Sequence, residues 1–191
     1  YMLNYANRIG LIWKTDEGYN NFQYRTNISA SRTLGLELTN WINIGKLFSL
    51  NDSIHKLNLL NNSTFNHGEY TDEDALVYGN KIEMVPLFTI KSSITYEYKR
   101  FILSGLINFQ TQQFSEATNA LESSNGLYGI IPSFYVIDVK TGYRFKEFSL
   151  MLSANNVTNN YYFTQRANSY PGPGIIPSEG RIYWLSLLFK I

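Results

Sequence analysis

The last strand-like segment of the chain places the tightest limits on its fold. In residues 180–191, alternate positions on one side are all apolar: Tyr183, Leu185, Leu187, Phe189 and Ile191. The residues between them include Trp184, Ser186 and Lys190. A period of two is typical of a β-strand whose faces have different surroundings. A wholly apolar face needs apolar neighbours, which are a packed core in a soluble sandwich or lipid in a membrane barrel.

The same alternation recurs along the chain, and the connections between the segments differ in length. We interpret seven earlier segments as strands: residues 1–13, 27–44, 55–65, 83–100, 101–114, 134–145 and 148–163. Short connections lie near residues 47–54, 99–100 and 146–147, and they alternate with long ones near 14–26, 66–82, 115–133 and 164–180. Transmembrane β-barrels have short turns at one end and long loops at the other. The sequence therefore predicts an all-β, antiparallel transmembrane barrel wall of about eight strands.

Composition limits the remaining fold and function classes. The chain has 15 Tyr and 12 Phe, and its mean hydropathy is −0.21. No run approaches the roughly 18 apolar residues that a spanning helix needs, which excludes insertion by helices. Sixteen basic and 15 acidic residues give a net charge of +1, and no basic block is present, so we expect no nucleic-acid partner. Aromatic residues near strand ends, such as Tyr96, Tyr98, Tyr143 and Tyr183, would form interfacial girdles in a barrel.

Residue patterns that carry catalysis or metal binding are not evident. We find no Ser–His–Asp arrangement, phosphate-binding loop or paired carboxylates at usable spacing, and we expect neither an enzyme nor a cofactor. Residues 67–80 contain four acids, Glu69, Asp72, Glu73 and Asp74. Their oxygens could in principle bind a divalent cation, but the spacing lacks the ligand and glycine pattern of a calcium loop. A solvated acidic loop is the favoured interpretation, and no metal site is predicted.

Residues 155–191 resemble the C-terminal end of TonB-dependent outer-membrane receptors. The Asn-rich motif resembles the penultimate strand of that family, and it comprises Asn155, Asn156, Asn160, Tyr162 and Phe163. Residues 170–174 (YPGPG), followed by Arg181, resemble its last loop and last strand. The longer string RANSYPGPGIIPSEGR is similar to receptors for ferric dicitrate, of the type found in Bacteroidota. One departure is the terminal Ile191, where the family usually has an aromatic residue.

This resemblance implies a larger protein and a transport function. It implies that residues 1–191 are the last eight strands of a 22-stranded barrel, with the plug domain and earlier strands upstream. The start at Tyr1, without a signal peptide, leads to the same expectation of a fragment. The implied location is the cell outer membrane of a Gram-negative bacterium. The implied partners are a ferric chelate substrate, the TonB complex acting through the plug, outer-membrane lipid, and the rest of the barrel. The alternative is a small self-contained barrel with a structural or adhesive role.

A ferric tricarboxylate chelate is anionic, so its site requires guanidinium groups with amides and hydroxyls around them. Arg166 is the best candidate, because it lies in the last long loop. The full set of predicted ligand-binding residues is Arg166, Gln165, Tyr170, Gln110, Gln112, Arg25 and Arg32. Gln110 and Gln112 lie at the outer end of a strand, and the two other arginines flank the first long loop. The alternative role of Arg166 is an ion pair with Glu179 across its own loop.

Overall fold

The computed structural model describes residues 1–18, 20–51, 53–124, 126–167 and 174–189. In chain order its elements are β1 (Met2–Thr15), β2 (Asn21–Asn43), α1 (Ile44–Leu47), β3 (His55–Tyr70), β4 (Phe88–Tyr98), β5 (Phe101–Gln110), β6 (Gln113–Phe114), β7 (Ile130–Ile131), β8 (Phe134–Arg144), β9 (Phe148–Asn155), β10 (Phe163–Ala167), β11 (Gly174–Pro177) and β12 (Ile182–Phe189). The one described helix, α1, has four residues. Among the described residues, no helix is long and apolar enough to cross a membrane.

Eight of the strands form one antiparallel sheet. Its order is β1-β2-β3-β4-β5-β8-β9-β12, so strands that follow one another in the chain are neighbours, with the two small hairpins inserted between them. Strands β1 and β12 lie at the two edges of this sheet. The predicted all-β class, the antiparallel pairing and the number of about eight strands are confirmed.

The prediction of a long loop at residues 14–26 is wrong. Residues 14–26 are mostly strand, because β1 continues to Thr15 and β2 begins at Asn21, with Thr15 paired to Asn21. Only residues 16–20 form the connection. The polar composition of residues 14–26 indicated a loop, because backbone pairing between strands does not itself require an alternating apolar face. Strand β3 likewise continues to Tyr70, into the segment predicted as an acidic loop.

Two other long connections contain small sheets that their composition did not predict. Strand β6 pairs with β7 within residues 111–133, and β10 pairs with β11 within residues 156–181. At the other end of the sheet, two of the three connections are short: residues 99–100, as expected, and residues 145–147. The third, residues 44–54, begins with α1, where the Asn43 side chain accepts a hydrogen bond of 3.0 Å from the Lys46 amide.

Cross-strand pairing shows that the main sheet has one apolar and one polar face. Residues directly opposite each other on neighbouring strands point to the same face. One such row contains Ile42, Leu59, Ile94, Gly105, Val139, Ala154 and Tyr183. The next row, on the other face, contains Asn43, Asn58, Thr95, Ser104, Lys140, Ser153 and Trp184. We call these the apolar face and the polar face.

Aromatic rows border the apolar face at both ends. At the short-turn end, Tyr98, Phe101 and Tyr143 lie opposite one another, and at the other end Phe65 is opposite Phe88. Phe88 and Tyr98 are the two ends of β4, ten positions apart. At about 3.3 Å per residue and a tilt of about 40°, this is about 25 Å, the height of the apolar band of a membrane barrel.

The aromatic residues predicted for girdles are only partly at these ends. Tyr98 and Tyr143 lie in the aromatic row at the short-turn end. Tyr96 is on the same face, two positions further into the sheet, opposite Leu103. Tyr183 is opposite Ala154, in a row well inside the apolar band. The end of a strand in the sequence therefore does not by itself indicate the end of the band, because the strands differ in length.

At the long-loop end, connecting segments cover the polar face. Tyr70 is opposite Ser31, and it forms a buried cluster with Val77, Ile82 and Ala117. Tyr70 also donates a hydrogen bond of 2.6 Å to the Glu83 carboxylate. The long loops are therefore packed structures with a small core of their own.

Candidate functional site at the long-loop end

Two long connections are joined by hydrogen bonds between asparagine side chains and backbone groups. The Asn119 side chain accepts a hydrogen bond of 2.7 Å from the Lys81 amide and donates one of 2.8 Å to the Lys81 carbonyl. Asn119 has a φ of 57°, a conformation that asparagine tolerates better than most residues. The Asn80 side chain donates to the carbonyl of Ala117, which is fully buried. The connection after β3 therefore holds the connection after β5.

Arg166, the main predicted ligand residue, joins the last long connection to the connection after β5. Its Nη1 and Nη2 atoms donate to the carbonyls of Gly126 and Ile130, at 3.0 and 2.9 Å. Its guanidinium also lies 5.4 Å from the centre of the Phe163 ring, which is cation–π geometry. Burial lowers the pKa of Arg166 from its ordinary value. The guanidinium thus binds two carbonyls, rather than the Glu179 carboxylate considered as the alternative.

The backbone around Arg166 is shaped to admit its side chain. Gly129 has a φ of 137°, and a Cβ atom there would lie 2.8 Å from the Leu121 carbonyl oxygen and 3.2 Å from Arg166 Nη2. A larger residue at position 129 would therefore clash with the backbone and the guanidinium. The Nε atom of Arg166 is buried without a hydrogen-bond partner among the described residues.

The glutamines predicted for the site lie at this same end. Gln165 precedes Arg166 and is exposed. Gln110 lies on the polar face, opposite Thr89 and Phe134. Gln112 is exposed and lines a small cleft together with Asn66, His67, Lys81 and Phe114. Gln112 immediately precedes β6, whose partner β7 contains the Ile130 carbonyl that Arg166 binds.

The other predicted residues are placed differently. Arg32 is an even number of positions from Leu34 and Leu36, so it lies on the apolar face, beyond the outer aromatic row. Arg25 is exposed and lies three positions from Ile28, which packs against the buried cluster on the polar side. The structure therefore does not bring Arg25 or Arg32 together with Arg166. Tyr170 lies outside the described residues.

The Asn-rich motif has a structural role that the sequence did not reveal. Asn156 is buried and has a φ of 51°. Its side-chain amide donates to the carbonyls of Asn160 and Glu179, and its side-chain oxygen accepts from the Asn160 amide. Its own amide donates to the Asp138 carboxylate at 2.8 Å. The predicted strand of residues 148–163 is therefore wrong in its second half, because β9 ends at Asn155 and the side chain of Asn156 holds a turn after it.

Possible metal ligands do not converge in the part of the chain described. No group of three or more His, Asp or Glu side chains is close enough to hold an ion. The only described ion pair near the acidic segment joins His67 and Glu69, at 3.5 Å.

Comparison with known proteins identifies the family. A family profile described as "TonB dependent receptor-like, beta-barrel" matches residues 1–157. The chain belongs to this receptor family. No curated protein sequence matches the chain.

Solved structures of receptors share the fold. The unliganded ferric citrate transporter FecA is 23% identical, with a TM-score of 0.69, and the match covers 83% of this chain and 24% of FecA. The siderophore receptor PiuA from Acinetobacter baumannii is 19% identical, with a TM-score of 0.71, covering 98% of this chain and 25% of PiuA. The copper transporter OprC is 14% identical, with a TM-score of 0.69, covering 98% and 27%. The chain spans about a quarter of the length of these structures.

Proposed function

We propose that this chain is part of the wall of an outer-membrane receptor that takes up a ferric chelate, with energy supplied through TonB. The observation that carries the proposal is the apolar face, which spans about 25 Å between two aromatic rows and has a polar face behind it. Lipid would cover the apolar face, and the polar face would line the lumen. The packed loops would then lie outside the cell.

The arrangement of the sheet favours a larger barrel over a self-contained one. In the strand order, β1 and β12 lie at opposite edges and pair with β2 and β9 respectively. We propose that both edges pair with further strands of a 22-stranded wall, and that a plug domain fills its lumen. An eight-stranded barrel with a structural or adhesive role would instead need β1 and β12 to pair with each other.

The chelate that we propose is ferric citrate or a similar anionic complex. FecA, a ferric citrate transporter, is among the similar structures, and the glutamine amides at the long-loop end suit the carboxylates of such a ligand. Gln112 and Gln165 are exposed and available. Arg166 would contribute its positive charge to the site while its terminal nitrogens hold the loops. Because the copper transporter OprC is also similar, a copper complex is the alternative substrate against which ferric citrate is compared.

The test uses the full-length protein that contains this chain, expressed in cells that lack their own ferric citrate receptor. We expect uptake of radiolabelled ferric citrate that disappears in matched cells without TonB. A plug-deletion variant and a copper complex serve as controls. Outer-membrane localisation with no TonB-dependent uptake of any ferric chelate would contradict the transport proposal.

A second test addresses the site. The variants Gln112→Ala and Gln165→Ala remove exposed amides without removing a described hydrogen bond, so we expect weaker ferric citrate binding and unchanged thermal stability. The control is Asn7→Ala, which removes an exposed amide from β1, at the edge of the sheet. Equal affinity of all three variants for ferric citrate would mean that neither glutamine contacts the chelate.

A further inference from the structure

The apolar face has a gap on the hairpin of β4 and β5, at Gly105. This glycine is opposite Ile94 on β4 and Val139 on β8. A Cβ atom at position 105 would meet one described atom within 4 Å, Cγ2 of Ile94, at the ordinary contact distance of 3.8 Å. Packing therefore does not require glycine at this position, and the missing side chain leaves open space on the face.

Two adjoining clefts at this gap form one groove. Their volumes are about 310 and 330 Å³, and both are lined by Ile94 and Gly105. Together they extend along β5 from Leu103 to Ile107, which is about 10 Å at about 3.3 Å per residue and a tilt of about 40°. Aliphatic side chains of β3 and β8 line the two sides: Leu57, Leu59, Ile137 and Val139. We call this the hairpin groove, and its lining suits a hydrocarbon chain.

The turn of the same hairpin provides positive charge at one end of the groove. Tyr98 ends β4 in the aromatic row at the short-turn end, and Lys99 and Arg100 follow it. The Lys99 ammonium lies over the Tyr98 ring, 5.3 Å from its centre, so it is on the apolar side of the sheet. Both cations are exposed, and neither forms an ion pair within the described part of the chain. An anion at this level would meet two positive charges.

The charges and the groove are spaced like the headgroup and the acyl chain of a phospholipid. Gly105 is four positions from Phe101, in the aromatic row, so it lies about 10 Å inside the apolar band. Lys99 lies just outside that row, at the level where lipid headgroups begin. A lipid whose phosphate is at Lys99 can therefore extend one acyl chain along β5 into the hairpin groove.

We propose that the hairpin groove and the turn of Lys99 and Arg100 bind one anionic glycerophospholipid of the inner leaflet. One acyl chain lies in the groove over Gly105, and the two cations contact the phosphate through charge-assisted hydrogen bonds. A choline headgroup fits less well, because the two cations repel its positive charge. This inference rests on the proposed function, because it requires lipid on the apolar face and the short turns on the periplasmic side.

The first comparison fills the groove with Gly105→Leu. Ala154→Leu is the matched control, because Ala154 lies in the same cross-strand row of the apolar face but does not line the groove. Full-length proteins, purified from outer membranes and stripped of lipid in detergent, are titrated with phosphatidylglycerol, and native mass spectrometry measures the affinity for the first lipid bound. We expect Gly105→Leu to bind at least about tenfold more weakly than the parent protein, and Ala154→Leu to stay within about twofold, because only the first occupies the space of the acyl chain.

The second comparison removes the charges and leaves the groove intact. The test variant is Lys99→Gln with Arg100→Gln. The control, Lys46→Gln with Lys146→Gln, removes exposed cations from the other two connections at the same end of the sheet. We expect the parent and the control to prefer phosphatidylglycerol over phosphatidylcholine of the same acyl chains by about tenfold, and the test variant to bind both lipids within about twofold.

Equal affinity of Gly105→Leu and Ala154→Leu for phosphatidylglycerol, or an equal headgroup preference in the two double variants, would overturn the proposal. Displacement of the lipid by millimolar inorganic phosphate would also overturn it, since phosphate alone would then fill the site. Each comparison is decisive without the other, so a variant that does not fold leaves the proposal open to refutation. TonB-dependent uptake by the parent tests the proposed function separately, and uptake together with equal lipid binding by all variants would contradict the lipid site alone.

Discussion

Arg166 supports the long loops through a geometry that few residues could replace. Its two terminal nitrogens bind the carbonyls of Gly126 and Ile130, which belong to a different connection. In Arg166→Ala both carbonyls lose their partner, and hydrogen bonds to charged groups contribute about 1.5–3 kcal/mol each. We expect faster hydrogen exchange and proteolysis in residues 115–131. Gln165→Ala is the matched control, and protection that is equal in both variants would contradict this role.

Asn156 is the corresponding anchor between β9 and β12. It combines a positive φ with side-chain hydrogen bonds to Asn160 and Glu179. We expect Asn156→Ala to lower the free energy of unfolding by about 2–3 kcal/mol, because it strains the backbone and leaves buried groups unpaired. Asn156→Gly relieves the strain alone and should lose less. The neighbouring, exposed Asn155 provides the control Asn155→Ala, which should be close to neutral in urea unfolding.

At the scale of the element, the first hairpin depends on a carboxylate at its tip. Asp16 accepts hydrogen bonds from the Asn20 amide at 2.8 Å, the Asn20 side chain and the Gly18 amide. The hydrogen bond from the Asn20 backbone is the largest cause of a lowered pKa at Asp16. A lowered pKa means that the charged form stabilises the tip at pH values above the ordinary aspartate pKa.

This stabilisation should be lost as the pH falls below about 4 and through the lowered pKa of Asp16. We expect amide exchange at residues 14–22, corrected for intrinsic rates, to increase between pH 5 and pH 2.5. In Asp16→Asn the same comparison should show a smaller pH effect. A pH effect of equal size in the variant would assign it to another group.

The elements also show what the sequence could and could not predict. Strands with one apolar face, such as β4 and β12, were predicted because lipid or core contact requires period-two alternation. The outer ends of β1 and β2, residues 14–15 and 21–26, were missed, since backbone pairing in water does not constrain side chains in this way. For the site, the sequence placed Gln165 and Arg166 in the last long connection. It could not show that the guanidinium donates hydrogen bonds to carbonyls of another connection, because these contacts join residues 36 and 40 positions apart.

At the scale of the whole molecule, the assignment of the two faces can be tested by one pair of neighbouring residues. Ile94 is 46% exposed on the apolar face, four positions from Tyr98 in the short-turn aromatic row. Ser93 precedes it and lies on the polar face, opposite Leu60 and Leu106. Both positions are therefore about 10 Å inside the apolar band, on opposite sides of the wall.

We expect Ile94→Arg in the full-length protein to destabilise the folded barrel by up to about 2–4 kcal/mol, because a guanidinium facing lipid is poorly solvated near the middle of the bilayer. Ser93→Arg places the same charge in the lumen and should have a much smaller effect. Reversible urea unfolding in phospholipid vesicles, with folding monitored by heat-modifiable migration in gels, measures both. Equal destabilisation by the two variants, or a larger loss for Ser93→Arg, would mean that the apolar face does not contact lipid.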